Sequence, residues 1–312
     1  MSTLLAHIFP GQGSQFSGMG KDLAERYPAS RKVFEEADDA LGFSISQMCF
    51  GGTAEELQLT ENTQPAILTT SIATLRAMEE AGTPTPERVA GHSLGEYSAL
   101  VAAGALSLSD AVRTVRLRGR FMQEATPIGS GAMAAVLGAE VEAVAAICRE
   151  VEEGEVCAPA NINSPNQIVI AGHARAVDRA IALIKDRLGK RAIKLNVSAP
   201  FHCALMKPAA ERLAAELEKI EFNDLSIPLV TNVDAAVITS GQEAREALIR
   251  QVSSPVRWLE SVQNLIKEGV GTFSEVGPGK VLCGLLRQID RSANCVSIGD
   301  VESLENTVKG NA

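Results

Sequence analysis

The pentapeptide Gly91-His92-Ser93-Leu94-Gly95 constrains this chain more than any other stretch. Arg88-Val89-Ala90 before it reads as the end of a short strand, and Glu96-Tyr97-Ser98-Ala99-Leu100-Val101-Ala102-Ala103 after it reads as a helix. A G-x-S-x-G at a strand-to-helix junction is a nucleophile-elbow pattern. The tight turn holds the serine in a strained conformation, and the glycines let neighbouring backbone approach. The hydroxyl then projects at a helix N-terminus, where free N–H groups favour negative charge on an attacking oxygen or an oxyanion. The competing reading is a glycine-flanked N-cap serine. Ser93 needs partners to decide between them.

Bulk properties narrow the classes. At 312 residues the chain has room for one large domain or two unequal ones. Hydrophobic residues make up 46% and aromatics only 4%, so Ala, Val, Ile and Leu must fill most of the core. A net charge of −9 argues against a nucleic-acid partner. Cys49, Cys148, Cys157, Cys203, Cys283 and Cys295 contain no C-x-x-C pair, which argues against a zinc ribbon or a disulfide framework and fits a reducing cytoplasm. The histidines, His7, His92, His173 and His202, show no metal-binding spacing, so no metal site is expected. No basic leader opens the chain, and no apolar run approaches the ~20 residues of a membrane helix.

Along the chain, residues 4–9 read as a first strand ending in the glycine-rich loop Pro10-Gly11-Gln12-Gly13-Ser14-Gln15. Helical periodicity covers 21–41 and 64–81, the second starting near Pro65, and Ser109-Asp110 caps a helix to about Glu124. From Gly131 the order becomes β-α-β-β-α-β, a ferredoxin-like unit. The expectation is an α/β fold in which residues 127–198 form a small domain inserted into a larger one made of 1–126 and 199–312. The larger domain resumes with a helix at about 205–220, strands near 229–232, 236–239 and 272–276, and a last strand at 295–298, with a frayed tail after Glu302.

A serine nucleophile needs a base, and histidine suits neutral pH. His92 adjoins Ser93, where side chains of a tight turn diverge, and His7 sits within a strand. His202 opens a helix after the irregular segment Ser198-Ala199-Pro200-Phe201, a place from which a base can be delivered, although it could simply start the helix. Arg118 projects from the apolar face of its helix, among Thr114, Val115, Phe121 and Met122. A buried guanidinium there demands an anion, either a protein carboxylate or a ligand carboxylate. Gln12 and Leu94 fit the two backbone donors of an oxyanion hole. Between His173 and Val197 stand seven basic residues and two acidic ones, either a solvated helix face or an attractor of phosphates or an acidic partner.

Together these residues resemble the malonyl-CoA:acyl carrier protein transacylases of fatty acid synthesis and, more distantly, the acyltransferase domains of polyketide synthases. The matching segments include Phe9-Pro10-Gly11-Gln12-Gly13-Ser14-Gln15, Thr63-Gln64-Pro65-Ala66, residues 91–97, Arg116-Leu117-Arg118-Gly119, Asn163-Ser164-Pro165, Phe201-His202, residues 251–258 and Glu275-Val276-Gly277-Pro278-Gly279. They span nearly the whole chain in one order. The resemblance implies a large hydrolase-like α/β domain with a parallel sheet and a ferredoxin-like insertion. It implies Ser93 as nucleophile, His202 as base, Gln12 and Leu94 as oxyanion donors, and Arg118 as clamp for the malonyl carboxylate. Gln251 would orient His202 through its backbone carbonyl, and Phe201 would crowd an α-methyl branch. Malonyl-CoA and holo acyl carrier protein are the implied partners, with no cofactor, no nucleic acid, no membrane and a cytoplasmic setting. Lys190 and Arg191 become candidates for docking the carrier or the CoA phosphates. The rivals are a serine hydrolase with an acidic third member such as Asp178 or Asp186, a non-catalytic CoA- or carrier-binding protein, and an acyltransferase of secondary metabolism.

Overall fold

In the computed structural model, which describes residues 3–127, 129–197 and 199–311, the chain builds two sheets. The larger has six strands in the order β10-β9-β1-β2-β7-β8. Its members are β1 (Leu4–Phe9), β2 (Arg88–Gly91), β7 (Leu229–Val230), β8 (Val237–Ile238), β9 (Val270–Val276) and β10 (Asn294–Ile298). All pair in parallel except β7 with β8. Ala6, Ile8 and Phe9 of β1 are fully buried, as expected of a central parallel strand covered by helices on both faces. Phe9 pairs with Gly91, so the carboxyl ends of β1 and β2 stop side by side and their loops meet. In open parallel sheets this edge is where sites form.

The smaller sheet is β4-β5-β3-β6, all antiparallel, from β3 (Gly131–Leu137), β4 (Cys157–Ser164), β5 (Gln167–His173) and β6 (Arg191–Lys194). Helices Val141–Glu150 and Ala174–Leu188 cover it around Val144, Ile147, Val177, Ala180 and Ile184, a core separate from that of the larger sheet. The β-α-β-β-α-β order read from the sequence is present. We propose 127–198 as the extent of this inserted unit; Ser198, its last residue, lies outside the described residues. The two sheets are stitched where Ile162 N donates to the Val256 carbonyl at 2.9 Å and Val256 N to the Ala160 carbonyl at 2.9 Å.

Several expectations are corrected. The helical stretch at 21–41 is two helices, Lys21–Arg26 and Pro28–Leu41, because Pro28 forces Tyr27 into extended backbone (φ −114°, ψ 116°). Helix Thr60–Glu80 starts a turn before Pro65 and carries that proline inside, held by burial along nearly its whole length. Helices Ile45–Gly51 and Ala54–Gln58 are too short to register as periodicity. The tail is a helix, Val301–Asn311, its start tied down by Asp22 Oδ2, which accepts from Val301 N at 2.8 Å, and by buried Leu304. The cysteine spacing, which argues against a disulfide framework, does not foresee a single link, Cys283–Cys295, whose Cα atoms lie 5.5 Å apart where helix Val281–Ile289 covers β10. A pairing made by helix-on-strand packing leaves no spacing signature.

His7, central in β1, is buried with neither ring nitrogen hydrogen-bonded among the described residues, and burial pushes its pKa down to about 4. An imidazole depressed in the folded state stabilises above its unfolded pKa, near 6.5, and loses that contribution as pH falls toward 4. Lowering the pH from 7 to 5 should therefore cost about 2 kcal/mol through His7 alone. Urea unfolding of wild type and His7→Leu at both pH values should show the variant losing less stability on acidification; equal losses exclude His7 as the cause.

Candidate active site

The site is built on the crowding of three backbones. A Cβ at Gly91 would overlap the backbone of Gly95, one at Gly95 would overlap the Phe9 carbonyl, and one at Gly11 would overlap the His92 carbonyl. The turn between β2 and helix Gly95–Ala102 is thereby pressed against the end of β1. Ser93 takes a left-handed conformation at φ 52°, unusual for a residue with a side chain. Asn232, just past the carboxyl end of β7, braces the turn: its Oδ1 accepts from Ser93 N at 2.6 Å and its Nδ2 donates to the Gly91 carbonyl at 2.6 Å.

Ser93 Oγ lies 2.7 Å from His202 Nε2, and His202 Nδ1 lies 2.9 Å from the Gln251 carbonyl oxygen. A carbonyl can only accept, so Nδ1 carries the proton and Nε2 is free to take one from Ser93. His202 is also left-handed, at φ 59°. Burial and then the Arg118 charge push its pKa down to about 3, so the resting imidazole is neutral. The competing reading of His202 as a helix opener has no use for these contacts.

Arg118, 1% exposed, reaches in from helix Leu108–Glu124. Its Nη1 donates to Gln64 Oε1 at 2.8 Å, and its Nη2 donates to Gln251 Oε1 at 2.8 Å and to Ser93 Oγ at 3.1 Å. The guanidinium carbon sits 5.6 Å from the centre of the Tyr97 ring. No carboxylate pairs with Arg118 directly among the described residues: its partners are amide oxygens and a hydroxyl. The Glu96 charge acts on Arg118 through space, and its Oε2 accepts from Gln251 Nε2 at 2.8 Å and from Asn232 N at 3.0 Å. Burial pushes the Glu96 carboxyl up to about 7 against the pull of those bonds and of Arg118.

Ser93, His202 and Arg118 face a cavity of about 260 Å³ whose walls include Gln12, Gln64, Asn161, Asn163 and Phe201. The Gln12 and Leu94 amides donate to no protein acceptor among the described residues, which leaves both available to an oxyanion. Asn163 Oδ1 accepts from His92 Nε2 at 2.8 Å, while the His92 ring packs beside Trp258, so His92 serves as a wall of the cavity. Among the described residues no group of three or more His, Cys, Asp or Glu could hold a metal ion. No described helix is long and apolar enough to cross a membrane.

A family model described as an acyl transferase domain matches residues 6–306. The chain belongs to the acyl transferase family. It is 53% identical to the malonyl CoA-acyl carrier protein transacylase of Bacillus subtilis, over 98% of this chain and 96% of the relative. Its identity to the protein of that name from Escherichia coli is 52%, over 92% and 93% of the two chains. Its fold matches an acyl carrier protein S-malonyltransferase from Vibrio cholerae with TM-score 0.95 at 47% identity, covering 97% of this chain and 99% of the other. It also matches, at TM-score 0.96 and 46% identity over 99% and 100%, a malonyl-transacylase in complex with its type II polyketide synthase acyl carrier protein. Within this acyl transferase fold the sequence reading had singled out Ser93, His202, Arg118, Gln12, Leu94, Gln251 and Phe201, and the structure gathers all of them around the elbow. Lys190 and Arg191 stand apart on the exposed approach to β6, without an ion pair among the described residues. The basic run around them is partly neutralised by Glu155 on Arg179, Glu150 on Arg187 and Asp178 on Lys194.

Gln64, Glu96 and Asn232 were missed as site residues. Gln64 and Glu96 lie in segments already marked by motif, and Asn232 follows a strand at the carboxyl edge of the sheet; only the fold shows what each one holds. Because no side chain fits at Gly95, Gly95→Ala should lower stability by about 3 kcal/mol. Thermal unfolding should show the drop, together with slower acylation of Ser93; a variant as stable as wild type would mean that β1 and the elbow can separate freely.

Proposed function

We propose that this acyl transferase moves the malonyl group from malonyl-CoA to the phosphopantetheine thiol of an acyl carrier protein through a malonyl ester on Ser93, supplying the extender unit for fatty acid synthesis. The observation that carries this reading is the buried Arg118 guanidinium, paired with no carboxylate among the described residues and 3.1 Å from the Ser93 hydroxyl. A serine ester needs no such charge; an acyl group ending in a carboxylate does. The identities above support the same donor and acceptor.

In the first half-reaction His202 Nε2 takes the Ser93 proton as Oγ attacks the thioester carbon. The Gln12 and Leu94 amides receive the oxyanion, a contribution of roughly 3–4 kcal/mol per donor. The C–S bond breaks, and His202 returns the proton to the departing CoA sulfur. In the second, the carrier thiol gives its proton to His202, its sulfur attacks the ester, and Ser93 leaves with that proton. The Gln251 carbonyl holds the imidazole tautomer throughout. Arg118 disfavours an imidazolium in the empty site; a malonyl carboxylate on Arg118 offsets that repulsion and strengthens the base when substrate is present.

A second cavity of about 620 Å³ shares Gln12, Leu195 and Val197 with the first and opens beside exposed Phe16, a path of the right character for a pantetheine arm. Lys190 and Arg191 would meet the acidic carrier or the CoA phosphates. Phe201 leaves little room for an α-methyl branch. Malonyl-CoA enters as substrate, with no resident cofactor, no nucleic acid and no membrane in the scheme. A cytoplasmic setting is part of this proposal; the four buried free thiols fit a reducing compartment, and the Cys283–Cys295 link does not.

Intact-protein mass spectrometry after brief incubation with malonyl-CoA should show an adduct of about 86 Da on wild type and none on Ser93→Ala, and added holo carrier should discharge it. Decay to free malonate with or without carrier would make the chain a hydrolase. Arg118→Ala should reduce malonyl transfer about a hundredfold or more while acetyl transfer falls far less. Equal losses remove the carboxylate-clamp role.

A further inference from the structure

Glu96 stands outside the reaction scheme, yet it is a carboxylate 1% exposed in the first turn of the elbow helix. An acidic side chain there complements the helix dipole without needing burial. Burying it is expensive, and here Oε1 has no hydrogen-bond partner among the described residues. What this placement secures is the orientation of one amide. Gln251 Nε2 lies between two acceptors, Glu96 Oε2 at 2.8 Å and the Ser93 carbonyl at 3.0 Å. With its NH2 committed to them, Gln251 must turn Oε1 toward Arg118. Flipped, the same amide would present N–H groups to a guanidinium and push it away from the cavity.

We infer that Glu96 is a positioning residue for acyl selection: it fixes the Gln251 amide, and through that amide the Arg118 guanidinium, so that Arg118 is held toward the acyl group without being paired to a protein carboxylate. The inference rests on the malonyl-transfer reading above. A carboxylate directly on Arg118 would compete with the substrate, and none nearby would leave a buried charge uncompensated. A carboxyl group one amide away, ionised above its raised pKa of about 7, avoids both outcomes. The same Oε2 also accepts from Asn232 N, and the Asn232 side chain braces Ser93 N, so the nucleophile and the clamp share one anchor.

The test is a double-mutant cycle read as the ratio of malonyl to acetyl transfer efficiency. Glu96→Gln keeps the volume but presents an amide that can accept or donate, so Gln251 loses its imposed orientation. The expected result is a raised KM for malonyl-CoA and a fall of about tenfold in the malonyl-to-acetyl ratio. In an Arg118→Ala background the same change should move the ratio less than about twofold, because its route through Arg118 is gone. An unchanged ratio in Glu96→Gln, or malonyl and acetyl transfer falling equally, overturns the inference. Should Glu96→Gln fail to fold, Gln251→Met decides: it removes the amide and keeps the backbone carbonyl on His202, and it must lower the ratio by a similar factor. A wild-type chain that transfers no malonyl group sinks the function reading, whereas transfer with an unaltered ratio in the variants sinks this inference alone.

Discussion

The approach of Gly95 to the Phe9 carbonyl is the contact on which the rest of the site depends. Three glycines, at positions 11, 91 and 95, have no room for a Cβ because the ends of β1 and β2 and the start of the elbow helix occupy one small volume. That crowding bends the chain hard enough to put Ser93 at positive φ, a conformation that costs on the order of 1–3 kcal/mol and survives only where its surroundings over-determine it. Phe9, Ala90, Leu94, Ala99 and Leu100, all buried, supply those surroundings. Strain at Ser93 is thus held by a core that would form for its own reasons.

Electrostatics then decides what the elbow is good for. A guanidinium removed from water is costly, and this fold places it against two glutamine oxygens and a ring face instead of a carboxylate. The charge is therefore solvated by dipoles and remains available to an anion that arrives with the substrate. The neighbouring imidazole feels the same charge and stays neutral. Arg118 and His202 are coupled through space, so an anion that settles on Arg118 alters His202. Among the described residues, Glu96 is the acidic side chain hydrogen-bonded into this network, through Gln251 and Asn232.

Much of this was legible before folding was considered. The elbow, its flanking strand and helix, and the β-α-β-β-α-β order of the second unit follow from local patterning, which short-range sterics and side-chain periodicity enforce. Arg118 stood out because it occupies an apolar helical face, a position that predicts burial from four neighbours alone. Elements whose form depends on distant packing were read less well. The break at Pro28 comes from the proline's constraint on Tyr27 and not from any change in helical periodicity. The terminal helix is ordered by contacts with Asp22 and the main core, and the Cys283–Cys295 link arises where a helix crosses a strand.

The sequence by itself determined which residue types are present for acyl transfer and in what local geometry: a serine in a glycine-flanked turn, a histidine at an irregular helix start, an arginine on an inward face. Tertiary structure alone decided that these three converge, since Ser93 and His202 stand 109 positions apart and touch at 2.7 Å. It alone decided that a backbone carbonyl fixes the His202 imidazole, because a carbonyl belongs to every residue and leaves no mark in a sequence. The orientation of the Gln251 amide and the burial of Glu96 are of the same kind. Each is a hydrogen bond between segments whose meeting is set by the packing of the sheet, and local propensity carries no information about it.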